Sequence, residues 1–137
     1  MKKVVLPGLA AGAAMLVVAL GVGYLLMSLF PWLRAEYMNT SLFRSWEDPL
    51  MSLYYAYPFL VGLILAWVWN RVKKLFTGKA WAKRGFSFGL IYWVVTIPGM
   101  LISYASFPIS LLMVGTWTVS GLLQALCAGA ILAAMNK

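Results

Sequence analysis

A chain of 137 residues with 64% hydrophobic and only 10% charged side chains is excluded from the ordinary soluble range of roughly 45–50% apolar and about 25% charged residues. Eleven Lys and Arg against three acids give a net charge of +8, and there is no histidine, which removes H-E-x-x-H metalloproteases, serine–histidine nucleophiles and histidine-ligated haem. The lone cysteine, Cys127, permits neither an intrachain disulfide relay nor a Cys-pair metal site and reads as a small buried apolar residue.

The charges leave uncharged runs at Val4–Leu33, Pro49–Asn70 and Gly85–Asn136. A span takes about 20 residues, so the last run holds two, with Pro108 in SFPIS supplying the turn. The sequence therefore predicts an all-α membrane protein of one domain, 1–137. Its four transmembrane helices fall at about 5–31, 50–72, 83–106 and 109–134, as two antiparallel hairpins in a compact bundle.

Lys2 and Lys3 ahead of an apolar run resemble the start of a secretory signal. The run exceeds a signal core of about 7–15 residues, and SLFPWLRAEY offers no small-residue cleavage site, so the segment reads as an uncleaved first helix. Gly8-x-x-x-Gly12 gives it a small-residue face for close helix packing.

The first connection holds every acid of the chain, Glu36, Glu47 and Asp48, with Arg34 and Arg44. Asp48 before Pro49 fits a helix N-cap followed by a first position where proline loses no needed donor. Met38, Leu42 and Trp46 recur every four residues and predict a short amphipathic external helix lying along the outer leaflet. A catalytic carboxylate pair is the weaker reading, since no histidine, nucleophile or metal cluster stands with the acids. Asn39-Thr40-Ser41 formally matches a glycosylation acceptor, a pattern common by chance.

Tyr54, Tyr55 and Tyr57 at one end of the second helix and Trp67 and Trp69 at the other suit the two membrane interfaces. Pro58 predicts a bend. In the second connection Gly78 reads as a left-handed helix cap. Six bases, Arg71, Lys73, Lys74, Lys79, Lys83 and Arg84, occupy fourteen positions. Topogenic anchoring accounts for them first, and contact with anionic lipid head groups, at about 1 kcal/mol per well-placed base, second. Nucleic acid is not implied, because membrane topology already explains the basic excess.

Gly85-x-x-x-Gly89 repeats the small-residue spacing on the third helix, and Pro98-Gly99 predicts a mid-helix bend. Tyr92 and Trp93, like Trp117 on the fourth helix, lie deep enough to need hydrogen-bond partners. The fourth helix carries Ala125-x-x-x-Gly129 and Gly129-x-x-x-Ala133, beside a mildly polar sector of Ser110, Trp117, Ser120, Gly121, Gln124 and Cys127. Gln124 is the costliest of these to expose to lipid and is expected at a helix interface. Gly8, Gly12, Gly85, Gly89, Gln124, Ala125 and Gly129 are thus the expected helix-interface residues. Phe30-Pro31 and Phe107-Pro108 both follow an outgoing helix, too short a likeness to establish a repeat.

Nine bases, Lys2, Lys3, Arg71, Lys73, Lys74, Lys79, Lys83, Arg84 and Lys137, lie on one side of this topology and two on the other. The positive-inside rule makes the nine-base side, with both termini, cytoplasmic, and a bacterial inner membrane is the expected location. No span contains Asp, Glu, Lys or Arg in its interior, which disfavours a proton-coupled exporter. No enzyme activity, cofactor or metal is expected. The leading reading is a membrane interaction protein, an accessory, assembly or stabilising subunit that associates with other membrane proteins or its own copies. The alternative is a small oligomeric channel or passive transporter lined by Ser87, Tyr92, Thr96, Ser103, Ser120 or Gln124.

Overall fold

The structure, a computed structural model, describes residues 2–78 and 80–136. Four long helices, α1 (Lys2–Leu29), α3 (Ser52–Val72), α4 (Trp81–Ser106) and α5 (Leu111–Met135), are accompanied by a short helix between the first two, α2 (Pro31–Tyr37). Single 3-10 turns at Pro49–Met51 and Lys73–Leu75 flank α3. The long helices are apolar around most of their circumference, so their sequence drives them into lipid, where a helix satisfies its own backbone. At 1.5 Å per residue α1 is about 42 Å long, enough for a hydrocarbon core of about 30 Å. All four long helices are long and apolar enough to cross a membrane, which marks an integral membrane protein.

Helices adjacent in sequence pair first, α1 with α3 and α4 with α5, and α1 against α5 joins the two hairpins. The order across the bundle is α3, α1, α5, α4. The α3 and α4 backbones scarcely meet, and side chains close the distance at the basic end, where Trp69, Phe76 and Phe88 stack with ring centroids 5.2 to 5.8 Å apart. Ala11, Met15, Leu65, Ala66, Ala128 and Leu132 pack around them.

Glycine sets how closely each hairpin closes. A β-carbon on Gly12 would stand 2.6 Å from the Cα of Phe59, and one on Gly8 2.8 Å from that of Leu63. Gly62 answers from α3, its missing side chain admitting the Gly8 carbonyl and Gly12 amide. In the second hairpin Gly85 lies against Gly129 and Ala130, and Gly89 against Ala125. Contacts this close between backbones add dispersion energy where no hydrophobic effect drives helices together.

Two local expectations are corrected. The amphipathic period of Met38, Leu42 and Trp46 does not form a helix. The short helix in this connection is α2, about two turns earlier, and residues beyond Met38 run through turns. Asn39 explains the stop: its Oδ1 accepts from the Ser41 amide at 3.0 Å and hydroxyl at 2.6 Å, a side-chain turn that competes with helix. Gly78 does not cap α3 either. The helix tightens into a 3-10 turn at Lys73, ends at an extended Phe76, and Gly78 takes φ of +124° in the link to α4, a conformation that glycine alone adopts freely.

Candidate functional site

Polar chemistry concentrates at the two ends of the bundle. At the basic end it begins with Pro7, inside α1. Proline cannot donate to the carbonyl four residues back, which belongs to Lys3. The Asn136 side chain supplies that donor, its Nδ2 reaching the Lys3 oxygen at 3.0 Å and Asn70 Oδ1 at 3.2 Å. Asn136 Oδ1 accepts from Lys73 Nζ at 2.6 Å, and its backbone carbonyl from Trp69 Nε1 at 2.9 Å. Trp69 is fully buried and Asn136 only 5% exposed. The knot therefore ties together α1, α3 and the end of α5.

The bases expected at lipid head groups separate here. Lys73 and Arg84 are half-buried, and the charges of Lys3, Arg84 and Lys74 lie close enough to repel that of Lys73. Arg84 Nε is buried and meets no hydrogen-bond partner among the described residues. Arg71 turns aside, its guanidinium 3.7 Å from the centre of the Trp67 ring, a cation–π contact. Lys74 and Lys83 are exposed, and Lys79 lies outside the described residues. Lys3, Asn70 and Asn136, which join the cluster, were not singled out from sequence. The i−4 relation of Pro7 to Lys3 and asparagines closing two apolar runs were the available signals.

At the acid-bearing end, α2 and the following turns fold over α1 and α5. Leu33 is 1% exposed and packs with Ile109, Met113 and Val114. One turn on, Glu36 accepts from the Ser110 amide at 2.6 Å and hydroxyl at 2.7 Å. Ser110 Oγ in turn accepts from the Met113 amide at 3.1 Å. The serine caps α5, and the carboxylate caps the serine at the positive end of the helix dipole. Trp117 Nε1 donates to the Tyr37 hydroxyl, and Phe43 lies edge-on to the Trp117 ring. Burial raises the Tyr37 phenol above its ordinary 10.0, against the opposing pull of the Trp117 bond.

Asp48 accepts from Leu50 N at 2.9 Å and pairs with Arg44 at 2.9 Å. The backbone donor first and Arg44 second hold its carboxyl below the usual 3.8. The stabilisation this gives is present above 3.8 and lost as pH falls through the depressed value. A shallow pocket of about 220 Å³ beside this turn is lined by Tyr37, Phe43, Arg44 and Trp46, among others.

Between the ends, polar side chains turn back on their own helices. Thr96 donates to the Trp93 carbonyl at 2.7 Å, Ser103 to that of Gly99 at 2.8 Å and Thr118 to that of Val114 at 2.8 Å. Gln124 Nε2 donates to Ser120 Oγ, one turn back in α5, at 3.0 Å. Trp93 instead crosses between helices, its Nε1 donating from α4 to the Thr118 carbonyl at 2.9 Å. An apolar groove of about 500 Å³ runs along α1 and α5 beside Leu26, Leu111, Gly115 and Val119.

No protein-family model, curated protein or solved structure matches this chain.

Proposed function

We propose that this protein is a non-catalytic membrane interaction protein, an accessory, assembly or stabilising subunit that associates laterally with other membrane subunits or its own copies. It resides in a bacterial inner membrane with both ends of the chain and the 71–84 connection in the cytoplasm, as the nine-to-two partition of bases supports.

The observation that carries the reading is the second half of α4. Residues 94–106 are exposed on nearly every side, Pro98 and Gly99 included. Pro98 cannot donate to the Val94 carbonyl, and the neighbouring hydroxyls are committed to Trp93 and Gly99. Lipid offers no donor, so an interrupted helix is best tolerated where another helix covers the break. The Pro7 break in α1 is covered in this way by Asn136, whereas that in α4 has no such cover among the described residues. Gly99 provides room, since a β-carbon there would meet nothing within 4 Å.

A channel would instead need hydroxyls turned towards a water path, and those of Thr96 and Ser103 are spent on their own helix. Glu36 and Asp48 are similarly engaged in capping, which favours a structural over a catalytic role for them.

The test is Gly99→Leu in the full chain, with assembly mass and co-purified partners measured after gentle extraction. The expected result is unchanged helix content with association about 3- to 30-fold weaker, the range spanned by helix contacts of roughly 0.6–2 kcal/mol in membranes. Unchanged association together with solute-selective flux from reconstituted vesicles would overturn the interaction role in favour of the channel.

A further inference from the structure

We infer that the pocket in the turns after α2 is a binding site for a quaternary ammonium group, held by the rings of Tyr37, Phe43 and Trp46 with Glu47 as its counter-charge.

The walls of the pocket are fixed from behind. The Asn39 carbonyl accepts from the Leu42 and Phe43 amides at 3.0 Å each, which turns the chain back and brings the Phe43 ring to 5.9 Å from that of Tyr37, centre to centre. Trp117 of α5 donates to the Tyr37 hydroxyl. Tyr54 of α3 meets the Trp46 ring edge-on, with centres 5.4 Å apart. One wall is therefore anchored on each hairpin, and a space of about 220 Å³ stands open between them. Pockets for drug-sized ligands begin at about 300 Å³, so this one suits a small head group. Rings already held in place cost little further ordering when a ligand arrives.

Charge gives the sign of that ligand. Of the three acids of the chain, Glu36 is engaged by Ser110, and Asp48 by Leu50 N and Arg44. Glu47 lines the pocket. Its amide donates to Ser45 Oγ at 3.3 Å, but its carboxylate has no hydrogen bond or ion pair among the described residues. Arg44, the base in the lining, is already paired with Asp48. The lining thus keeps one uncompensated negative charge, in a protein whose net charge is +8.

The same lining selects among cations. Calcium takes about 6–8 oxygen ligands, and three rings with a single free carboxylate do not supply them. A primary ammonium brings three N–H donors, which aromatic walls leave largely unmet. A quaternary ammonium has no N–H to satisfy. Its charge is spread over methyl groups that pack against the electron-rich faces of aromatic rings, and one carboxylate balances it.

The experiment is NMR of the full chain, carbon-labelled at its methionine methyls, in uncharged maltoside micelles. It is titrated with choline and with the neutral alcohol in which carbon replaces the choline nitrogen. Met38 lines the pocket, and Met135, exposed at the far end of α5, is the reference. Expected are a saturable shift of Met38 with choline, none of Met135, and binding of the neutral alcohol about 2- to 30-fold weaker, the range that cation–π contacts span. Glu47→Gln and Trp46→Leu should each weaken choline within the same range. Glu47 is exposed, so its replacement disturbs no packed contact. Trp32→Leu, which removes an exposed ring outside the lining, should leave choline binding unchanged. Repeating the choline titration in phosphatidylcholine nanodiscs separates the two sources of the group: a lost response assigns the site to a lipid head group, and a retained one to a free solute. Equal affinity for the neutral alcohol, or no weakening by Glu47→Gln and Trp46→Leu, would overturn the site.

Discussion

Glu36 and Ser110 stand 74 positions apart, and two hydrogen bonds join them. The serine alone could cap α5. The carboxylate adds charge at the helix N-terminus and ties the α2 segment to the fourth span. Glu36→Ala removes both acceptors and leaves the Ser110 amide to find water, so a loss of about 1–2 kcal/mol is expected. Glu36→Gln keeps one acceptor and should lose less. Denaturant titration in a fixed micelle would order the variants, and hydrogen exchange at residues 111–113 should rise in the alanine variant alone. Equal stability of all three proteins would show that the cap is idle. Asp48 was legible as an N-cap because cap and helix are adjacent in sequence. Glu36 was not, because its partner lies across the fold, where no local pattern points.

The close hairpins were largely readable, and the limit of that reading is instructive. Gly8, Gly12, Gly85, Gly89, Ala125 and Gly129 advertise themselves through repeats of four on their own helices. Gly62 has the same role on α3, but its neighbours at that spacing are Pro58 and Ala66, and a proline disguises the stripe. All three are buried. Gly62→Ala should cost roughly 1–3 kcal/mol, as overpacking does, because the added carbon meets backbone of α1 that cannot rotate away. Gly21→Ala on α1 meets nothing within 4 Å and should be neutral or stabilising by roughly 0.5–1 kcal/mol through helix propensity. Thermal unfolding of the two variants in one detergent gives the comparison, and matching shifts would mean that contact at Gly62 does not govern the hairpin. The external helix was misplaced for a related reason. Its period of four was genuine, but the Asn39 side chain bonds the chain into a turn, and the helix forms instead where Leu33 can be buried.

The spans follow from charge and hydropathy alone, with boundaries within a few residues, because a bilayer demands long uncharged helices and little else satisfies the backbone there. Which end is expected to face the cytoplasm rests on a second, independent property, the placement of Lys and Arg. The two properties meet in the structure. Lys3, Arg71, Lys73, Lys74, Lys83 and Arg84 surround the ends of α1, α3 and α4, while Arg34 and Arg44 accompany the acids at the far ends. Moving six bases across a membrane would be far harder than moving two, and Asp48 already neutralises one of the two through its pair with Arg44. The expected orientation therefore puts residues 34–48 outside and 71–84 inside. A Cys127→Ala background carrying either Thr40→Cys or Lys83→Cys tests it, both replaced side chains being exposed. In intact cells an impermeant thiol reagent should label position 40 and spare position 83 until the membrane is broken. The reverse pattern would invert the protein, place the Arg84 cluster against the outer leaflet, and leave the loop that carries Glu36 facing the cytoplasm.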